Sequence, residues 1–205
     1  MKFSRDEALA LVHEWTKNPN LVKHMLAVET VMRALCLYLY DKGVLSVSDI
    51  KGNTRTELAE VWGIAGLVHD ADYEQFKDDP KKHPSVIFPK LEERGADPSI
   101  INAVRAHGWG NRAGLPEPAT PMEWSLYCAD ELTGLVIACA LVRPEKSLAT
   151  VSVESVLKKW PQKAFAAGVH REQIGLCESK LGIPLPEFIS IALTAMQGIH
   201  AELGL

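Results

Sequence analysis

In the stretch Gly63-Ile64-Ala65-Gly66-Leu67-Val68-His69-Asp70-Ala71-Asp72, an apolar run ends in a histidine directly followed by an aspartate. An imidazole nitrogen and a carboxylate oxygen side by side are good donors for a divalent transition metal. In a dry core they are expensive, because an unpaired buried carboxylate costs on the order of several kcal/mol. A helix that turns Asp70 inward behind Leu67 and Val68 therefore needs a positive charge nearby, and a metal ion is the most economical one. For the pair alone, the competing reading is a His69 that caps a helix end and an Asp70 that begins a solvated turn. The same conflict recurs elsewhere. His24 shares a helical face with Val28, Val31 and Leu35, and Asp130 shares one with Leu126, Gly134 and Ile137. Taken alone, His24 reads as a hydrogen-bonded core histidine.

The elements that must position these residues are all helical. Ser4-Arg5-Asp6-Glu7 is a capping box opening a helix to about Lys17, and Asn18-Pro19 opens a long second helix that runs to Gly43. Residues 44 to 55 form a polar connection. Glu57 to His69 then resumes an apolar helical pattern, in which Gly63 and Gly66 allow another helix to approach closely. Residues 71 to 82 read as a mobile surface loop able to cover a pocket. His83-Pro84 is expected to open a helix through Leu91 to Gly95, bent at Pro89, and Asp97-Pro98 another that ends at His107-Gly108. After a Gly- and Pro-rich loop, Thr120-Pro121-Met122-Glu123 is a second capping box, and Trp124 to Val142 makes a long apolar helix. Shorter helices follow over Glu154 to Trp160 and His170 to Leu181, with a last long one from Pro186 to Glu202. No segment alternates as a strand does, so the expected class is all-α.

With 205 residues, 47% of them hydrophobic and 23% charged, the chain suits one domain with a proper core. A net charge of -4 offers no basic field for long nucleic acid. Cys36, Cys128, Cys139 and Cys177 lie far apart in apolar segments with no CxxC pair, which points to a reducing compartment and no zinc ribbon. Charges at Lys2, Arg5, Asp6 and Glu7 interrupt any signal peptide, and no uncharged run approaches the ~20 residues of a membrane span. A cytoplasmic protein without a membrane partner is expected.

The order His24, His69-Asp70, Asp130 on three helices resembles the HD superfamily of metal-dependent phosphohydrolases, over about residues 20 to 143. HDIG-type members add two histidines between the HD pair and the last aspartate, and His83 and His107 stand there; Ala71-Asp72 replaces the Ile-Gly of that signature. The resemblance implies an HD-type helical bundle over 1–205, with a metal-binding core at about 20–143 and a helical extension at 144–205. It also implies two divalent ions, from among Mn, Fe, Zn and Co. Asp70 would bridge them, with His24, His69 and Asp130 on one and His83 and His107 on the other.

Two such ions about 3.5 to 4 Å apart would generate a metal-bound hydroxide for in-line attack on phosphorus. The expected reaction is hydrolysis of a phosphate ester or anhydride in a small nucleotide-like substrate. Asp70 and Asp72 are the candidate catalytic residues; Asp72 reads either as a general base or leaving-group acid or as an ordinary solvated loop acid. Arg105, Arg112, Lys81 and Lys82 are candidates for phosphate, each set against a plain surface charge. His170 and His200 read as structural or surface residues. Two readings from other classes stand beside this one: a di-iron oxygenase with the same six ligands, and a non-catalytic, metal-stabilised module that binds a nucleotide or protein.

Overall fold

A computed structural model of the protein describes residues 3–79, 81–110 and 114–205. The class is all-α: among the described residues every regular element is a helix. First come α1 (Arg5–Trp15), α2 (Pro19–Asp41), α3 (Val47–Ile50) and α4 (Arg55–Val68). The short α5 (Tyr73–Phe76) and α6 (Phe88–Glu93) precede α7 (Pro98–His107) and the long α8 (Pro121–Leu141). A 3-10 turn at Leu148–Thr150 leads to α9 (Val153–Lys159), α10 (Arg171–Leu181), α11 (Leu185–Gly198) and α12 (His200–Leu203).

Local chemistry accounts for the helix starts. Ser4 with Glu7, Thr54 with Glu57 and Thr120 with Glu123 close reciprocal capping boxes, and Asn18 and Asp97 cap helices whose first residue is proline. Packing then sets the arrangement. α2 lies along α4, α8 packs on α2, α7 and α10, and α11 returns to α2. One contiguous core joins Val28, Leu35, Ile64 and Leu132 to Ile174, Phe188 and Met196 from the C-terminal helices. α8 is long and apolar enough to cross a membrane by composition, yet 67% of its most apolar window is buried within the fold. Contact with helices on several sides accounts for that composition.

The two glycines of α4 do different things. A Cβ on Gly66 would stand 2.8 Å from the Val28 carbonyl oxygen and 3.0 Å from Glu29 Cα, so here the backbones of α2 and α4 touch. At Gly63 the space is taken by the Arg33 side chain. Arg33 and Arg5 together hold Glu29, which is only 4% exposed, and Arg33 continues to Glu60.

Two expectations from the sequence are corrected. The chain from His83 to Ile87 is not helical; α6 begins only at Phe88, and Pro89 sits in its first turn. A proline there loses no helical hydrogen bond, whereas further inside it would. The Val86 and Ile87 amides instead donate to Asp72 Oδ2, each at 3.1 Å. The surface loop expected from residue 71 is also tied down at its start. Ala71 and Asp72 are buried, Thr16 Oγ1 donates to the Ala71 carbonyl at 3.1 Å, and Gln75 Nε2 to the Trp15 carbonyl at 3.0 Å. Glu74 Oε2 accepts from the Lys17 and Asn18 amides at 2.6 and 3.0 Å.

The close approach of α2 and α4 gives a direct test. Gly66→Ala should lower unfolding stability by about 1 to 3 kcal/mol, because the obstructing atoms are backbone. Gly175→Ala, where a Cβ meets nothing within 4 Å on α10, should raise it by roughly 0.5 to 1 kcal/mol. Denaturant titration of both variants checks the pair; a neutral Gly66→Ala would contradict the packing.

Candidate metal centre

Four histidines arrive from different parts of the fold, and each has its Nδ1 already engaged. His69 directly follows α4, and its Nδ1–H donates to the Gly66 carbonyl at 2.8 Å. His107 closes α7 in the same manner, donating to the Val104 carbonyl at 2.5 Å. His83 donates from Nδ1 to Asp72 Oδ1 at 2.6 Å. His24, within α2, has Nδ1 3.2 Å from Thr133 Oγ1, and that hydroxyl spends its only hydrogen on the Asp130 carbonyl at 2.8 Å. Thr133 must therefore accept from His24. Assigned from this network, the tautomer is the same in all four rings, with the proton on Nδ1 and a lone pair on Nε2.

Those lone pairs converge. With both rings neutral, His24 Nε2 and His69 Nε2 face one another at 3.3 Å as two acceptors, and only a proton or a metal ion reconciles them. Asp130 Oδ1 stands 3.0 Å from the first and 3.4 Å from the second. Asp70 Oδ2 is 3.7 Å from His24 Nε2 and 3.4 Å from His69 Nε2. The other oxygen of Asp70, Oδ1, lies 3.3 Å from His83 Nε2 and 3.5 Å from His107 Nε2. Metal–ligand bonds of about 2.1 Å put neighbouring ligand atoms about 3 to 3.5 Å apart in tetrahedral or octahedral shells, so the donor types and spacings both fit. His24, His69, Asp70 and Asp130 form one group positioned to bind a metal ion; Asp70, His83 and His107 form another.

Electrostatics express the same demand. Burial opposes charge on His69, yet Asp70 and Asp130 outweigh it and raise its pKa well above the usual imidazole range. For His83, Asp70 and Asp72 overcome burial and push the value up to about 9. Burial would lift both acids, but His69 holds Asp70 and Asp130 below the carboxylate range, with help from the other histidines. The cluster thus attracts positive charge, as protons or as a metal that competes with them.

Of the six residues named as ligands from the sequence, His24, Asp70, His83, His107 and Asp130 line a cleft of about 430 Å³ with Leu21, Tyr73, Pro84, Gly108 and Glu131, and His69 lies fully buried beside them. Asp72 is corrected: it is fully buried, neither a solvated loop acid nor a group open to substrate, and its two oxygens hold His83 and the Val86 and Ile87 amides. Arg105 lies over the Phe88 ring, and Lys82 pairs with Asp79 and sits over Phe76; neither lines the cleft. Lys81 is exposed, and Arg112 lies outside the described residues. His170 and His200 are exposed. A cavity of about 100 Å³ near Asp49, Asp97 and Glu123 holds none of the six ligands, and each of these acids serves a helix cap.

Sequence reasoning missed Thr133 and Glu131. Thr133 stands one turn beyond Asp130 on the same face, a spacing that was available as a signal. Glu131, the direct neighbour of Asp130, is half-buried; burial raises its pKa, and Oε2 accepts from the His170 amide at 2.9 Å. Comparison with family models, curated proteins and solved structures finds no match for this chain.

Two variants test the centre. Asp70→Ala removes the carboxylate common to both groups and should strip most bound metal, read by elemental analysis of protein whose helical circular dichroism persists; full occupancy would refute the assignment. Thr133→Val removes the acceptor that orients His24 and should weaken metal binding roughly 10- to 100-fold in a competition titration. Unchanged affinity would mean that Thr133 does not set the ring.

Proposed function

We propose that this chain is a metal-dependent phosphohydrolase of the HD type, acting on a phosphate ester or anhydride of a small nucleotide-like substrate. The observation that carries the reading is the splitting of Asp70, whose Oδ2 faces His24 and His69 while Oδ1 faces His83 and His107. One carboxylate shared by two sets of imidazoles is what a paired-ion centre requires, and the proposal assigns two divalent ions to it. When bound, such ions supply Lewis acidity towards a phosphoryl oxygen and lower the pKa of a coordinated water towards neutrality.

The side chains of the cleft have distinct parts in this reading. His24, His69 and Asp130 hold one position, His83 and His107 the other, and Asp70 spans them. Asp72 is a positioning residue: its Oδ1 keeps His83 turned with Nε2 towards Asp70, and it exchanges no proton with substrate from its buried place. Arg105 and Lys82 have partners away from the cleft and Lys81 does not line it, so the phosphoryl charge falls to the ligand centre.

Metal content and turnover test this together. Metal per chain should approach two in replete protein and fall towards one in His83→Ala or His107→Ala. Hydrolysis of nucleotides should stop with chelator and return with Mn²⁺ or Fe²⁺. Asp70→Ala should abolish turnover, while Asp72→Ala should lower metal affinity for the His83 position and lose less rate at saturating metal. Oxygen consumption with an organic substrate, and no phosphoester cleaved at full occupancy, would replace this reading with the oxygenase one.

A further inference from the structure

Beyond its ligands, the cleft has two unlike ends. Tyr73, Pro84 and Gly108 adjoin the His83 and His107 side, whereas Leu21 and Glu131 adjoin the His24 and Asp130 side. Tyr73 opens α5 and is 39% exposed, an aromatic ring left at the mouth of a cleft. Its ring meets the His83 imidazole at 5.3 Å and 85°. The backbone beneath it is held by the Glu74 and Gln75 hydrogen bonds to the turn between α1 and α2. Tyr73 is thus a fixed apolar platform beside a ligand, with ring surface free for another group.

The opposite end is acidic. Glu131 stands next to Asp130, anchored through Oε2 by the His170 amide, and its carboxylate repels any chain of further phosphates laid that way. The cleft's volume of about 430 Å³ falls towards the small end of the ~300 to 1,000 Å³ usual for ligand sites. It suits a single nucleoside.

Resting on the phosphohydrolase reading above, the geometry points to a nucleoside monophosphate as substrate, its phosphoryl group at Asp70 and its base stacked on Tyr73 beside Pro84. Tyr73 is then a specificity-determining residue. Stacking of a base on an aromatic side chain is sensitive to removal of that side chain and tolerant of the base's identity.

The experiment uses metal-loaded full-length protein with adenosine monophosphate, adenosine triphosphate and glycerol phosphate. Wild type should prefer the nucleoside monophosphate by kcat/KM. Tyr73→Ala should lower the ratio of kcat/KM for adenosine monophosphate over glycerol phosphate on the order of 10- to 100-fold. Tyr73→Phe should retain it. An unchanged ratio in Tyr73→Ala, or a wild-type preference for the triphosphate, overturns the assignment while leaving the hydrolase reading in place. If no ester is cleaved, the hydrolase reading fails, and calorimetry with adenosine decides the stacking separately. Binding that weakens by a similar factor in Tyr73→Ala supports it; absent or unchanged binding overturns it.

Discussion

The structure depends on how it compensates carboxylates taken out of water. Helix α2 shows two solutions to that problem on one element. Glu29, 4% exposed, meets Arg5 at 2.6 Å and Arg33 at 2.8 Å, and the pairing is complete as it stands. Guanidinium groups carry their charge permanently and donate in a fixed fork, so nothing further is needed. Asp70 and Asp130 meet imidazoles instead, and the charged partners described for them are histidines alone. With each Nδ1 proton committed, those rings offer lone pairs to the same space that the carboxylates face. Acceptors crowded on acceptors require a cation. The first arrangement builds a core; the second builds a binding centre.

Helix ends supply much of the precision. His69 and His107 both donate from Nδ1 to a carbonyl three residues earlier, at the C-terminal ends of α4 and α7. A helix leaves its last carbonyls without intrahelical partners, and these rings take one each. The same hydrogen bond turns Nε2 outward past the helix end. Capping and a position fit for ligation, which the sequence poses as alternatives for His69, are compatible in one ring. Since the geometry of a cap is set by its own helix, each ligand is oriented by a rigid element, and the Gly66 contact with Val28 draws the end of α4 in towards α2.

This division explains what could be read from the residues. His24, His69, Asp70 and Asp130 stood out because each put a polar group on an apolar face, a conflict visible in spacing alone, and His83 and His107 followed from their place in the order. Helix starts were legible because caps are local. Asp72 was not, since its partners Val86 and Ile87 lie fourteen and fifteen residues on and are brought back only by tertiary folding. The late start of α6 has the same origin. In sequence, His83-Pro84 resembles a helix opening; in the fold, the amides that would begin that helix are claimed by Asp72. Gly63 and Gly66 were alike in sequence and differ in what lies opposite, a side chain at one and a backbone at the other.

The C-terminal helices carry no ligand, yet their packing bears on the centre. α10 has no side-chain cap of its own, and the acceptor for the amide at its start comes from Glu131 on α8. One helix turn further along α8, Gly134 faces Val169 at a distance where an added Cβ would make ordinary contact, at 3.6 Å. Gln173, buried in α10, donates to the Tyr127 carbonyl at 2.6 Å. These three contacts span Tyr127 to Gly134, the segment that contains Asp130 and Thr133. Without them α8 would be held less firmly against rolling about its axis, and a roll would carry Asp130 away from His24 and His69. α10 and the turn before it meet an adjoining face of α8, at Tyr127, Glu131 and Gly134. The extension therefore belongs to the centre mechanically, by fixing the rotation of the helix that presents its last carboxylate.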